Sequence, residues 1–417
     1  MEKIMFYKGS NGKYRAGKRI TRRGFMKGAG AAGLSFTIMK PSSVRGTEAN
    51  SRVEVGCIGL GGRGSLIAGM LKEHKGYEIT SLADYFPGVS TEGGEKFGVA
   101  EKRCFSGLSG YQKLIGSKVD AVFCETPPYC FGEHVTAAVN AGCHVYLAKP
   151  VACDVPGCLT IAEMGRKATQ TKKVFLVDFQ MPTDPFIIEA VRRVHDGDIG
   201  PAGMMSSFYT DDGFRDPPKT ETIESRLRNL IWVNDVELGG GMIVNADIHA
   251  IDAALWIAGA RPVSAMGCSR VGKSDAHGDT AYVYSLTYQF ENGLIMNHQG
   301  EHLRNTKGFS CGCFAYGTEG YLEANYQGKA WVHGNKESYR GGEVTNLYVE
   351  GIKRNLDKFY NSIVGGIYDN PTVETSVNST LATILGRQAA RRNTRVTWDE
   401  MIRENEKIEV NLTGLKA

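Results

Sequence analysis

The chain has 417 residues, with 49 Lys and Arg against 45 Asp and Glu, 52 glycines and 10 cysteines. Residues 1–50 hold 11 of those bases and 2 of the acids, leaving 38 bases against 43 acids in the remainder. The body of the protein is therefore mildly acidic, which argues against nucleic-acid and anionic-membrane partners, and it is long enough for two domains with real cores.

In chain order, the first feature is Thr21-Arg22-Arg23-Gly24-Phe25-Met26-Lys27, followed by a weakly apolar run over 28–39. Paired arginines, a Phe two residues on and a short Gly/Ala-rich segment have the form of a twin-arginine export signal. Small residues near 44–49 offer cleavage points, so 1–49 is expected to be signal and linker and the protein periplasmic or otherwise exported. A basic arm for anionic surfaces is the competing reading. No later segment has the continuous apolar length of a membrane helix, so no membrane insertion of the mature form is expected.

From 53 to 178, apolar runs at 53–58, 78–83, 121–125, 144–147 and 173–177 alternate with helical patterns at 65–74, 91–97, 111–115, 134–141 and 157–167. Nearly continuous apolar strands alternating with helices predict an α/β domain over 50–180, a doubly wound parallel sheet of Rossmann type. Beyond about residue 200 the runs at 204–210, 263–271, 280–290, 294–301, 309–316 and 320–324 alternate with period two, and Glu291-Asn292-Gly293 is a hairpin turn. This predicts an α+β domain over 181–417, with a mostly antiparallel, open-faced sheet and helices on one face. Helices over 241–256 and 347–363 are expected on that inner face, and one over 379–391 is expected to return toward the first domain. The open face is left for a subunit or substrate, and a homo-oligomer is expected.

Val53-Glu54-Val55-Gly56-Cys57-Ile58 runs into Gly59-Leu60-Gly61-Gly62-Arg63-Gly64, a strand entering a glycine-rich turn that opens a helix. Gly59 allows the tight turn, Gly61 lets the backbone approach a pyrophosphate, and Gly64 lets the helix pack closely, its first amides facing the anion. Gly62 and Arg63 complete the turn. Asp84, 25 residues after Gly59, closes the next strand, where a carboxylate accepts the ribose hydroxyls and repels a 2′-phosphate. No Arg follows in Tyr85-Phe86-Pro87, so NAD is favoured over NADP. The alternative is that Asp84 merely caps a helix. Because free nicotinamide cofactor is absent outside the cytoplasm, an exported protein must work with the molecule it carries.

Cys57, Cys124 and Cys143 lie in or beside predicted strands, no two cysteines have Cys-x-x-Cys spacing, and Cys311-Gly312-Cys313 alternates on one strand face. These read as small buried hydrophobes and free thiols, with no metal site.

Three further segments stand in a telling order: Asp120-Ala121-Val122-Phe123-Cys124-Glu125-Thr126-Pro127-Pro128 before a helix with His134; Ala141-Gly142-Cys143-His144-Val145-Tyr146-Leu147-Ala148-Lys149-Pro150; and Gly239-Gly240-Gly241-Met242-Ile243-Val244-Asn245-Ala246-Asp247-Ile248-His249-Ala250-Ile251-Asp252. With Gly386-Arg387-Gln388-Ala389-Ala390 and Val396-Thr397-Trp398-Asp399-Glu400-Met401, they resemble the glucose-fructose oxidoreductase/inositol dehydrogenase/rhizopine-catabolism (Gfo/Idh/MocA) family, in its exported branch. The resemblance implies that Thr126, Pro127 and His134 border the cofactor. It implies that Lys149, also beside the nicotinamide, exchanges a proton with the reacting hydroxyl, and that His249 is the base or relay opposite. Two positions depart from the family pattern. Ala148 stands where a Glu is usual, and Asn245 where an Asp is usual. Asn245 can orient His249 or a sugar hydroxyl, while Asp247 supplies a nearby charge that points elsewhere on a regular helix.

The substrate implied is a sugar or glycoside, with Tyr209, Asp211, Asp212, Arg226, Arg228 and Trp232 as further pocket candidates. Three functions stay open: net oxidation of a secondary alcohol; a redox-neutral glycosidase, lyase or epimerase working through a transient keto-sugar with retained NAD; and a non-catalytic NAD-retaining sensor or structural subunit.

Overall fold

Six short, largely apolar strands lie side by side in the first half of the chain. They are β1 (Val53–Ile58), β2 (Tyr77–Asp84), β3 (Cys104–Ser106), β4 (Ala121–Cys124), β5 (His144–Ala148) and β6 (Phe175–Asp178). Among the described residues they form one parallel sheet in the order β3-β2-β1-β4-β5-β6. The connections are α1 (Gly62–Glu73), α2 (Pro87–Phe97), α3 (Gly110–Gly116), α4 (Phe131–Asn140) and α5 (Val155–Gln170). Every residue of β4, β5 and β6 is buried, as a sheet covered on both faces requires. Strand order reverses between β1 and β4, which opens a crevice at their C-terminal ends. The computed structural model describes residues 52–214, 223–227, 231–271, 278–334 and 338–416. The export signature and Arg228 lie outside them.

Helix starts follow local chemistry. The Asp154 carboxylate accepts the Gly157 N–H at 2.8 Å, with Pro156 in the first turn of α5. Asp184 likewise caps α6 (Pro185–His195) by accepting from Phe186 and Ile187.

The second sheet contains β7 (Ala202–Thr210), β8 (Ser264–Arg270), β9 (Val283–Gln289), β10 (Ile295–Glu301), β11 (Ser310–Gly317), β12 (Tyr321–Asn325), β13 (Ala330–His333), β14 (Tyr339–Arg340) and β15 (Val396–Thr397). Its order is β14-β13-β12-β11-β7-β10-β9-β8-β15, antiparallel except where β7 meets β10. In β10 the buried Met296, His298 and Gly300 alternate with outward Ile295, Asn297 and Gln299. Helix α7 (Ile248–Ala258) packs on the inner face, against β7 and β11.

Three expectations are corrected. The helix over 347–363 forms as α8 (Leu347–Gly365) but covers the parallel sheet instead of the antiparallel one. Its Phe359 packs edge-on against Phe123 and Tyr146, at 5.5 and 5.6 Å between ring centres, on the same face that α1 and α2 cover with Ile67, Leu71 and Phe97. The stretch over 241–256 is not one regular helix: Gly240 and Gly241 both have φ +83°, and a π turn over Ile243–Asp247 precedes α7. Finally, the stretch Val236–Ala258 is long and apolar enough to cross a membrane, although 83% of its most apolar window is buried inside the protein as a core element.

Helix α9 (Pro371–Arg392) does return, and it bridges, packing on α5 and β6 as well as on β8 and β9. From it the Arg387 guanidinium donates to the Gly240 and Cys153 carbonyls at 2.8 and 3.0 Å, one in each half of the protein. A final helix, α10 (Trp398–Glu404), starts on a reciprocal Thr397/Glu400 capping box. All ten thiols are free, and among the described residues no group of His, Cys, Asp and Glu is arranged to hold a metal.

Candidate cofactor cleft and active site

The glycine-rich turn is built as its residues require. Gly59 has φ +87°, and a Cβ there would lie 2.8 Å from the Glu125 backbone; one on Gly64 would strike the Gly59 carbonyl. Gly61 and Gly62 face open space, where an anion can meet the first amides of α1. The Asp84 carboxylate accepts the Leu60 N–H at 2.8 Å and the Phe86 N–H at 3.0 Å, tying the end of β2 to the turn.

These residues border a cleft of about 490 Å³, with Thr126, Pro127 and His134 on the β4 side and Trp232 and Leu238 from the second half of the chain. His134 Nδ1 lies 3.3 Å from Thr126 Oγ1, its ring 4.3 Å from Tyr111, and burial lowers its pKa to about 4. Near Asp84 the walls turn apolar, with Phe86, Leu108, Leu412 and Leu415. An amide-lined centre, a carboxylate at one end and an apolar box beyond it fit a dinucleotide.

Lys149 directly follows β5 and is half-buried. Its Nζ donates to the Asn245 backbone carbonyl at 2.6 Å. Burial, reinforced by the Arg63 charge, lowers its pKa to about 7 against the opposing pull of Asp178 and Glu125. His249 stands one turn after Asn245, ringed by Phe179, Tyr209 and Tyr326 at 6.0, 6.5 and 5.6 Å. Burial, then the charges of Lys149 and Arg63, push its pKa well down and keep the imidazole neutral. Among the described residues its Nδ1 has no partner. The Lys149 charge thus acts on the His249 imidazole.

Residues 53–179 match the model of an oxidoreductase family with an NAD-binding Rossmann fold, and residues 187–323 match the GFO/IDH/MocA C-terminal domain. The chain belongs to the Gfo/Idh/MocA family. Inositol 2-dehydrogenase of Rhizobium meliloti (strain 1021) is 22% identical over 82% of this chain and 96% of its own length. A 1-carboxy-3-chloro-3,4-dihydroxycyclohexa-1,5-diene dehydrogenase of Comamonas testosteroni is 29% identical, and the match spans 43% of this chain and 41% of that relative. In fold, the chain is similar to the aldose-aldose oxidoreductase of Caulobacter crescentus, with TM-score 0.67 and 19% identity over 83% of this chain and 99% of that one.

In this Gfo/Idh/MocA protein, neither Asn245 nor Asp247 places a side chain on His249 among the described residues. Asn245 spends its side-chain amide on the Gly239 and Gly241 carbonyls, bracing the glycine turn without reaching His249. The π turn aims the fully buried Asp247 at the sheet, 3.5 Å from His298 Nε2 and 3.3 Å from His302 Nε2. His302 Nδ1 in turn lies 2.8 Å from Asp211, so Asp211, His302 and Asp247 form one chain that is buried except at Asp211. Despite burial, the two histidines hold Asp247 below the usual carboxylate range, and the acids raise His302 to about 9.

Two carboxylates not singled out from the sequence lie near Lys149 instead. Arg63 turns away from the cleft and pairs with Asp178, with Glu125 at 3.1 Å and with the Tyr348 hydroxyl at 2.8 Å. The available signal was an acid directly following a run of buried strand residues, at the end of β4 and in β6. Of the remaining candidates, Tyr209 covers His249 and Trp232 borders the cleft. Asp212 is exposed, and Arg226 is engaged by Asp235 and Glu237 at 2.5 and 2.8 Å.

Proposed function

We propose that this Gfo/Idh/MocA protein moves hydride between a secondary alcohol of a sugar or glycoside and bound NAD. The observation that carries the reading is a half-buried lysine of lowered pKa, Lys149, whose charge reaches both the neutral His249 and Glu125 on the wall of a dinucleotide-shaped cleft. Bound nicotinamide would supply the hydride acceptor. Lys149 as free amine takes the proton of the reacting hydroxyl, and the open Nδ1 of His249 orients that hydroxyl or a neighbour. The rings of Tyr209, Tyr326 and Phe179, with the half-exposed Phe309 beside the first two, suit a substrate with an apolar ring face and polar edges. The inositol and aldose chemistry in the names of the relatives supports a polyol.

Asp84 supports NAD over NADP. Mass spectrometry of the purified protein, followed by a panel of cyclitols, pyranoses and glycosides with free NAD, tests the reading. Release of NAD and reduction with at least one polyol are expected, with loss of turnover but not of NAD in Lys149→Ala. Absence of both cofactor and turnover would end it.

The C-terminal segment favours a second reading, redox-neutral catalysis with a retained cofactor. Leu412 and Leu415 line the cleft, and Lys416 is tied to Tyr85 and Leu108 at 3.1 and 3.0 Å. A strapped cofactor suits an enzyme that returns its hydride. Substrate conversion at one NAD per chain, with none added, separates the two.

The Arg22-Arg23 signature supports export, with fractionation of an Arg22→Lys/Arg23→Lys variant as the test. A homo-oligomer is supported by the open sheet face, where strand pairing sets Met204, Ile295, Tyr316 and Tyr321 in one row, all exposed. Sedimentation of the purified protein checks it.

A further inference from the structure

We propose that a second cavity, bounded by α6, α8 and α9, binds a small hydroxylated organic anion such as a sugar acid or a polyol phosphate. The site is separate from the cofactor cleft and does not depend on the oxidoreductase reading.

The cavity measures about 280 Å³ and shares no lining residue with the cleft. That is near the lower end for ligand pockets and suits a small metabolite. Its floor is built from buried groups: Phe179, Asn355, Asp252 and Ser376 are each no more than 6% exposed. Asn355 Nδ2 donates to Asp178 Oδ1 at 2.6 Å and to the Phe179 carbonyl at 2.9 Å, pinning the floor to the end of β6. Phe179 stands between the two sites, since it borders this cavity and its ring centre lies 6.0 Å from that of His249.

Charge gives the site its sign. Arg354 and Lys358 stand one turn apart on α8, and both border the cavity. Among the described residues neither is ion-paired, whereas Lys353 on the same helix pairs with Glu350 at 2.8 Å. Arg354 is half-buried, and its Nη1 donates to the Thr183 carbonyl at 3.1 Å, which holds the guanidinium at the wall. The one acid on the wall, among the described residues, is Asp252, whose Oδ1 accepts from Ser379 Oγ at 2.6 Å. Burial raises that carboxyl to about 7, so below neutral pH it is mostly uncharged and can donate to a hydroxyl. Two unpaired cations above a carboxyl and a serine hydroxyl complement a molecule with one anionic end and several hydroxyls. The planar fork of Arg354, with Lys358 beside it, takes the carboxylate or phosphate, and Asp252 and Ser376 take the hydroxyls.

Isothermal titration of the full-length protein with gluconate and with glycerol 3-phosphate, at low salt and with uncharged glycerol as control, tests the site. At least one anion is expected to bind with a Kd of about 1 mM or tighter, and glycerol not measurably. The tighter of the two identifies the anionic group as carboxylate or phosphate. Arg354→Gln/Lys358→Gln is expected to weaken that binding at least about tenfold. Lys149→Ala, on the other side of Phe179, should leave it within about twofold, because distant sites act independently. If circular dichroism shows that the double variant fails to fold, the exposed Lys358→Gln alone replaces it, with a loss of about threefold expected. No saturable binding of either anion, binding that survives loss of both cations, or binding abolished by Lys149→Ala overturns the proposal.

Discussion

Lys149 Nζ donates a 2.6 Å hydrogen bond to the backbone carbonyl of Asn245, joining the end of a parallel strand to the first residues of the π turn that leads to His249. The bond crosses from the cofactor-binding half to the other half of the chain. It fixes where the amine points, and the neighbouring charges fix when it is protonated.

Burial, then Arg63, bring the Lys149 pKa to about 7, so the amine is neutral above that pH and charged below it. Alcohol oxidation needs the neutral amine. Its kcat/KM is expected to rise about tenfold per unit below pH 7 and to level above it, while ketone reduction, which needs the charged amine, is level below pH 7 and falls above it. A pH–rate profile in both directions checks this. Lys149→Met should flatten the limb near 7 and lower oxidation at least 100-fold, in the range typical of a lost general base.

Gly300 is the one β10 position whose missing side chain makes room for Asp247. A Cβ there would lie 2.5 and 2.7 Å from the two carboxylate oxygens, in a region without solvent. Gly300→Ala is expected to displace Asp247 from His298 and His302 and to cost about 1–3 kcal/mol, the usual penalty for overpacking a core. Thermal denaturation should show the loss. Gly61→Ala, which meets open space, should leave the melting temperature nearly unchanged and act on cofactor binding instead.

The parallel sheet was legible because its strands are unbroken apolar runs, and the antiparallel one because period-two alternation marks a half-covered face. The strands not foreseen are short: Cys104–Ser106 has no fully buried residue, β13 has four residues, too few for its alternation to stand out, and β14 and β15 are two residues each. The π turn is invisible to a helical period because inserting one residue hardly changes the apolar spacing. It is this turn that sends Asp247 to the histidines of the sheet. The candidate site was readable where a local motif builds the cleft wall, as at Gly59 and Asp84. It was not readable where it depends on pairing across the fold. Arg63 meets Asp178 across 115 residues, a contact that only the packed sheet creates.

Asp252, in the same segment as His249, is buried with its carboxyl oxygen accepting from Ser379 Oγ at 2.6 Å, and burial raises its pKa to about 7. In the unfolded chain it titrates near ~4. The folded state therefore holds the proton more tightly, and this contribution to stability is full below about pH 4, declines as pH rises and is gone above about 7. Asp252→Asn keeps an acceptor for Ser379 and has no such window. Urea denaturation between pH 4 and 8 is expected to show the wild type losing stability relative to the variant, and parallel curves would contradict the assignment.

The C-terminal segment offers a test of retention that leaves the catalytic residues untouched. Leu412 and Leu415 line the apolar end of the cleft, and Ile408 N–H donates to Asp154 at 2.9 Å where the segment leaves the fold. Both leucines are only partly covered, so each adds less than the ~1.5–3 kcal/mol of a fully buried leucine to whatever occupies that end. Deleting residues 408–417 is expected to weaken dinucleotide binding about tenfold, chiefly through faster release, with little change in melting temperature once NAD is saturating. Stopped-flow displacement of fluorescent NADH from full-length and shortened protein measures it. Equal release rates would show that the leucines cover the cleft without holding its contents, and would remove the support this segment gives to a retained cofactor.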